Sequence, residues 1–262
     1  ADIRNTDDFP LIRDAFITHS VIVIRGQTIT PDDHIAFARM WGEINVNRFF
    51  AALDTHPEIA LVLKEPDQKA AIGETWHTDH AYDLEPALGS ILHAIETPVY
   101  GGDTVFCSMA AAYEALTDPM KQMLRGLYAW NSSRHVFGET QQDNEASKSG
   151  RLGNAASATQ DALHPVVIEH PHSGRKGLYV NPQFTTQIDG LSKPESDAIL
   201  NMLFTHCQQP EFQCRVRWKA GDITMWDNRA TWHKAINDYH GHRRLMHRIT
   251  VEGPGLSAAL AA

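Results

Sequence analysis

The chain has 262 residues, 42% of them hydrophobic, long enough to bury a substantial core and short enough for one globular domain over residues 1–262. With 32 acidic against 23 basic residues and a formal net charge of −9, it has no broad basic face for nucleic acid or an anionic membrane, and no apolar run reaches the roughly 18 residues of a spanning helix. Cys107, Cys207 and Cys214, odd in number and without a C-x-x-C spacing, argue against a disulfide framework and a thiolate zinc site and fit a reducing, cytoplasmic setting.

The chain opens at Ala1 almost directly onto a helical pattern, so part of a native N-terminus is expected to be missing. Apolar residues at Phe9, Leu11, Ile12 and Phe16 predict a helix over 9–19, and the β-branched run Val21-Ile22-Val23-Ile24 predicts a buried strand behind it. Thr30 as N-cap and Pro31 at the first helical position open a second helix through Ile35, Phe37, Ala38 and Trp41, ended by Gly42. Strand-like segments follow at 59–63, 90–96, 104–107, 163–169, 177–180, 213–218, 223–226 and 245–251. Helical stretches interrupt them at 109–127, with a break at Asp118-Pro119, and at 193–207. Residues 138–161 show neither period and read as a long mobile loop, a length that usually serves as a lid or an insertion. Many short strands between Gly, Pro, Asn and Asp predict a mainly β barrel or sandwich with flanking helices.

His77-Thr78-Asp79 places two candidate metal ligands at i and i+2, on the same side of an extended segment. Composition alone supplies about two H-x-[DE] matches by chance, and the chain holds two, the other at His56-Pro57-Glu58. The dipeptide therefore needs company. Trp226-Asp227-Asn228-Arg229 leads to His233, and Arg243, Arg244 and Arg248 follow on the next strand. Two His and one carboxylate leave coordination positions open, as in non-haem Fe(II) oxygenases and unlike closed structural zinc. An arginine beside such a centre can hold a carboxylate by two parallel hydrogen bonds. Residues i and i+4 of a strand share a face, so Arg244 and Arg248 look into one pocket while Arg243 faces outward. His170 and His172, and His240 and His242, sit at Pro and Gly positions and read as structural or exposed; Met109 and Tyr113 read as core.

Trp76-His77-Thr78-Asp79, Gly101-Gly102-Asp103-Thr104, Ala111-Ala112-Tyr113-Glu114-Ala115-Leu116, Leu163-His164-Pro165-Val166-Val167 and Trp226-Asp227-Asn228-Arg229, followed in order by His233, Arg244 and Arg248, resemble the taurine dioxygenase / 2,4-dichlorophenoxyacetate dioxygenase family. The resemblance runs from about Val21 to Gly253. It implies a double-stranded β-helix (jelly-roll, cupin-like) core and an enzyme that uses Fe(II), 2-oxoglutarate and O2, releasing succinate and CO2. It also implies that His77, Asp79 and His233 are the iron ligands, that Thr104 and Arg244 hold the distal carboxylate of 2-oxoglutarate, and that Arg248 takes the anionic group of a small organic substrate. A homo-oligomer is expected.

Within the resemblance, the stretch Asn45 to Phe50 lines the substrate pocket. The taurine enzyme presents His and Tyr there, whereas this chain presents Asn47 and Phe50, so the departure speaks against taurine. Phe49, Phe50 and Phe184 suggest an apolar pocket suited, with Arg248, to an aryloxyalkanoate cleaved at its ether. A taurine-like alkylsulfonate or an alkyl sulfate is the alternative. Readings of other classes are a non-catalytic cupin-like metal-binding protein and a zinc hydrolase; the latter lacks an evident general base and leaves Arg244 unexplained.

Overall fold

The computed structural model describes residues 1–141 and 143–257, so position 142 of the expected lid segment and the last five residues lie outside the described residues. Its principal sheet runs Val21–Ile24, Ile223–Asp227, Gly89–Glu96, Arg244–Val251, His56–Lys64 and Ala52–Leu53, with Ile44–Asn45 also paired to Arg244–Val251. Facing it is a smaller sheet of Gln213–Val216, Thr104–Ser108 and Thr231–Ala235. Every ladder is antiparallel, and the chain crosses repeatedly between the sheets, as the double-stranded β-helix expectation requires.

Alternation along the strands creates the layers. On one face of the principal sheet Ile91, Ile223, Met225, Ile249 and Val251 bury against Ile12 and Phe16 of the helix Phe9–His19 and against Ile35, Phe37 and Ala38 of Pro31–Arg39. On its other face Leu92, Ala94, Trp226 and Met246 meet Phe106 and Val216 of the smaller sheet. Val105, Cys107 and Trp232, one residue out of phase with Phe106 and His233, point away and pack under Leu200, Leu203 and Cys207 of the helix Lys193–Cys207. The order is helices, sheet, sheet, helices. Each fully buried Ile, Leu, Val, Met or Phe among them contributes about 1.5–3 kcal/mol relative to exposure, so a shift of one residue in any strand would lose a face at once.

Local signals explain the element ends. Thr30 and Asp33 form a reciprocal capping box on Pro31–Arg39, and Ser192 and Glu195 do the same for Lys193–Cys207. The helix Phe9–His19 closes with Ser20 in a left-handed conformation, its N–H on the Phe16 carbonyl. The helical pattern over 109–127 divides into Met109–Glu114 and Asp118–Leu124, with Thr117 as N-cap and Pro in the first turn. The single strand expected over 163–169 is two, because the partner changes at Val166, whose N–H donates to the Leu127 carbonyl while its own carbonyl accepts from Tyr179: Asp161–Pro165 pairs with Tyr128–Ser132, and Val167–Glu169 with Lys176–Leu178. Residues 138–161, aperiodic in sequence, contain the turns Glu139–Gln141 and Ala155–Ser157 and the helix Glu145–Lys148, each too short to show a period. Among the described residues no helix is long and apolar enough to cross a membrane.

A histidine cluster lies between Pro31–Arg39 and the sheet. His34 is buried with both ring nitrogens unpartnered, its ring 6.0 Å from that of His93. Burial, with His93 adding, pushes His34 down to about 3, and burial, with His247 adding, pushes His93 down to about 4. Both values lie below the ordinary 6.5, so the unfolded chain binds more protons, and stability present above pH 6.5 is lost as pH falls toward the folded-state values. A His34→Leu variant should flatten this loss between pH 7.5 and 5 by about 1–2 kcal/mol in urea titrations. An unchanged slope would refute the assignment.

Candidate active site

His77, Asp79 and His233 are brought together from distant parts of the chain. The backbones of His77 and His233 pair as an isolated bridge, with N–H to carbonyl distances of 3.1 and 2.8 Å, which puts the rings 4.2 Å apart. Thr78, facing the other way, donates its hydroxyl to the Thr231 carbonyl and locks the register. The His77 Nε2 lies 3.6 Å from one Asp79 oxygen and the His233 Nε2 3.7 Å from the other. Among the described residues this is the one group of metal-ligating side chains whose donor atoms all lie within 4.8 Å of one another, and all three are buried.

The surroundings prepare the donors. His77 donates Nδ1–H to the Thr75 carbonyl at 2.7 Å, which leaves its Nε2 lone pair for a cation. Burial first, then the neighbouring His77, pushes His233 down to about 3, so it is a neutral imidazole at neutral pH. Burial alone would raise the Asp79 carboxyl, but the Arg248 guanidinium holds it well below the usual carboxylate range. Ser90 donates its hydroxyl to Asp79 at 3.0 Å, and the Arg248 Nη1 stands 3.4 Å from both carboxylate oxygens. Gly73, at φ +83°, passes so close that a Cβ would sit 3.3 Å from His77 Cε1. Two imidazoles and one carboxylate, converging with room beside them, fit a ferrous ion.

Two cavities meet at this point, and His77 and Arg248 line both. The smaller, about 50 Å³, has Thr104 and Arg244 in its wall with Val62, Leu92, Trp226 and His233. Arg244 is buried with Nε on the Gly102 carbonyl at 3.1 Å and its guanidinium 5.7 Å from the Trp218 ring, whose Nε1–H donates to Thr104 Oγ1 at 3.0 Å. No carboxylate pairs with Arg244 among the described residues, so a small dicarboxylate reaching from the metal would meet both its guanidinium and the Thr104 hydroxyl. Arg243 faces outward onto Glu65 and Glu96.

The larger cavity, about 470 Å³, holds Asn47, Phe50, Phe184 and Arg248, the four residues expected around the substrate. The Arg248 guanidinium lies 4.4 Å from the Phe50 ring centre, and its Nε is buried without a partner. Asn47 behaves differently from the expectation: its Oδ1 already accepts the N–H groups of Phe49 and Phe50, both at 2.9 Å, so its oxygen shapes the turn that aims Phe50. Phe49 is not in the wall but stacks on Phe137 at 4.3 Å. Sequence reading missed His80, Tyr82, Val136 and Phe137, all in the wall. Their proximity to Asp79, or to the aperiodic segment, was the available signal. Gln141, Asn144, Glu145 and Leu152 of the aperiodic segment line the cavity, held there by the Glu145 carboxylate on the N–H groups of Lys69 and Ala70 and by Arg151 on the carbonyls of Leu63 and Ala70.

Comparison with known proteins agrees with this geometry. A family model described as "Taurine catabolism dioxygenase TauD, TfdA family" matches residues 1–250. An alkylsulfatase of Acinetobacter baylyi is 34% identical over 92% of this chain and 76% of its own length. An alpha-ketoglutarate-dependent 2,4-dichlorophenoxyacetate dioxygenase of Cupriavidus pinatubonensis is 36% identical over 88% of this chain and 84% of its own length. The crystal structure of a taurine dioxygenase from Burkholderia xenovorans superposes with a TM-score of 0.82 at 30% identity, covering 99% of this chain and 87% of that one.

Proposed function

This chain belongs to the TauD, TfdA family and is a non-haem Fe(II)- and 2-oxoglutarate-dependent dioxygenase, and on that premise we propose that it oxidises a small organic sulfate ester or sulfonate. The observation that carries the anion is Arg248: buried, in the wall of the larger cavity beside the metal ligands, with an unpartnered Nε. The alkylsulfatase relative, matched over 92% of this chain, favours sulfur oxyanions over the aryloxyalkanoate expected from the sequence. The aryloxyalkanoate reading keeps support from the 2,4-dichlorophenoxyacetate relative.

In this reading the whole chain is one catalytic domain. When bound, the ferrous ion with 2-oxoglutarate and O2 supplies the oxidant for a substrate C–H bond, with succinate and CO2 as products. His77, Asp79 and His233 hold the ion. Thr104 and Arg244 fix the far carboxylate of the cosubstrate, and their small cavity leaves little room for longer diacids. Arg248 anchors the substrate anion, so the carbon bearing the sulfate oxygen or the sulfur is the one presented. Hydroxylation there gives an unstable adduct that collapses to an aldehyde, releasing sulfate or sulfite. Phe50, Phe184 and Phe137 cover the carbon skeleton.

Succinate release should be measured across alkyl sulfates, alkylsulfonates and aryloxyacetates with Fe(II) and 2-oxoglutarate. A sulfate ester or sulfonate should give the highest kcat/KM. Arg248→Ala should lower it by about a hundredfold or more, the loss of roughly 3 kcal/mol of charge-assisted binding. A clear preference for aryloxyacetates would overturn the sulfur reading.

A further inference from the structure

Behind the wall of the smaller cavity stands an indole that touches both residues read as partners of the cosubstrate's far carboxylate. Trp218 is buried and is not one of the residues lining the cavity. Its Nε1–H donates to Thr104 Oγ1 at 3.0 Å, and its ring centre lies 5.7 Å from the guanidinium carbon of Arg244. The strands place it there. Thr104 opens Thr104–Ser108 with Val216 paired on one side and Ala235 on the other, which fixes its backbone, and the chain reaches Trp218 two residues beyond Val216. Leu92, Val216, Trp226 and Met246 are buried with the indole in one apolar cluster.

The donor type decides what Thr104 can offer. A hydroxyl has one hydrogen and two lone pairs, and an indole N–H only donates. Trp218 therefore occupies a lone pair of Oγ1 and leaves the hydroxyl hydrogen over. No protein acceptor takes that hydrogen among the described residues, and Thr104 shares the cavity wall with Arg244. A guanidinium also only donates, and the Nε of Arg244 is already on the Gly102 carbonyl. This end of the cavity thus presents donors alone, the complement of an ionised carboxylate. The indole also polarises the hydroxyl, because a donor on its oxygen strengthens the bond that its own hydrogen makes.

We propose that Trp218 is a positioning residue for the cosubstrate, whose N–H makes the Thr104 hydroxyl a fixed donor toward the far carboxylate of 2-oxoglutarate. The inference rests on the reading of Thr104 and Arg244 as the partners of that carboxylate. Without the N–H the hydroxyl is free to turn, and ordering it again weakens its bond to the carboxylate. The contact of the ring with Arg244 is a separate contribution, which phenylalanine keeps in part.

Binding of 2-oxoglutarate to the Fe(II)-loaded protein, measured anaerobically by calorimetry, tests this in a double-mutant cycle. Trp218→Phe, which keeps an aromatic ring and removes the N–H, should weaken 2-oxoglutarate by about fivefold or more, with iron bound at the wild-type stoichiometry. Thr104→Val removes the hydroxyl at nearly constant shape and should weaken it by about tenfold or more. Adding Trp218→Phe to Thr104→Val should change the affinity by less than about twofold, because the hydroxyl through which the N–H acts is gone. Unchanged affinity in Trp218→Phe beside a weakened Thr104→Val overturns the role of Trp218 and leaves the cosubstrate reading standing. Unchanged affinity in Thr104→Val overturns that reading, and the proposal with it. Equal losses from Trp218→Phe in both backgrounds, or loss of iron together with 2-oxoglutarate, also overturn the proposal, since the indole then acts through packing alone. Should Trp218→Phe not fold, the benzothienyl analogue of tryptophan at position 218, with sulfur in place of the N–H, enters the cycle against the same outcomes.

Discussion

An Asp79→Ala variant should bind no ferrous ion stoichiometrically and release succinate at least about a thousandfold more slowly, a barrier change of some 4 kcal/mol. Two effects add. One of three donors disappears, and it is the one carboxylate of the three, the donor that brings a negative charge to the dication. In addition, Arg248 loses the carboxylate that stands 3.4 Å from its Nη1 and becomes an uncompensated cation beside the metal position. The second effect makes Asp79→Ala more damaging than His77→Ala, which leaves the Asp79–Arg248 pair intact. Iron content after anaerobic loading and desalting checks this. Tight stoichiometric iron in Asp79→Ala would refute the ligand assignment.

An Asp227→Ala variant should lose roughly 3–5 kcal/mol of stability, a large share of the total for a domain of this size. The Asp227 carboxylate accepts from the backbone N–H and Nε of Arg229 at 2.8 and 2.9 Å with one oxygen, and from Arg229 Nη2 and His170 Nε2 at 2.6 and 2.9 Å with the other. Both residues are buried, and without the carboxylate the guanidinium is left as a bare internal charge. Burial alone would raise the Asp227 carboxyl, but Arg229 and His170 hold it down at about 2. Its pKa is depressed from 3.8, so the stabilisation is present above that value and is lost as pH falls through it toward 2. The same turn leads into Thr231–Ala235 and thus sets where His233 lies. Urea denaturation with an iron-binding assay should therefore show reduced stability and weakened metal affinity together. A loss below about 1 kcal/mol would refute the account.

Much of this was legible because it is local. The ends of Phe9–His19, Val21–Ile24 and Lys193–Cys207 coincide with the expected bounds, since helical spacing, β-branching and capping residues act over a few neighbours. The strands Tyr128–Ser132 and Thr185–Ile188 escaped notice, because Asn, Ser and Gln take strand geometry there from partners supplied by the tertiary fold. Of the site, His77, Asp79, His233, Thr104, Arg244 and Arg248 were identifiable from their order along the chain and the family resemblance it carries. The two arginines on one face of Arg244–Val251 follow from strand periodicity alone.

His80 was not identifiable in this way. Its place in the cavity wall depends on a left-handed backbone and on a carboxylate three residues away held by Arg48. Asn47 shows the converse: its position predicts a substrate contact, yet its oxygen is consumed by the turn before Phe50. The sequence by itself determined the kinds of donor present, the metal-binding chemistry and the inward pair of arginines, since residue type and period-two alternation are properties of the chain. Only the tertiary structure decided which polar atoms have partners and which are left over. Burial withdraws water, and whether an atom is then satisfied depends on groups contributed by distant segments.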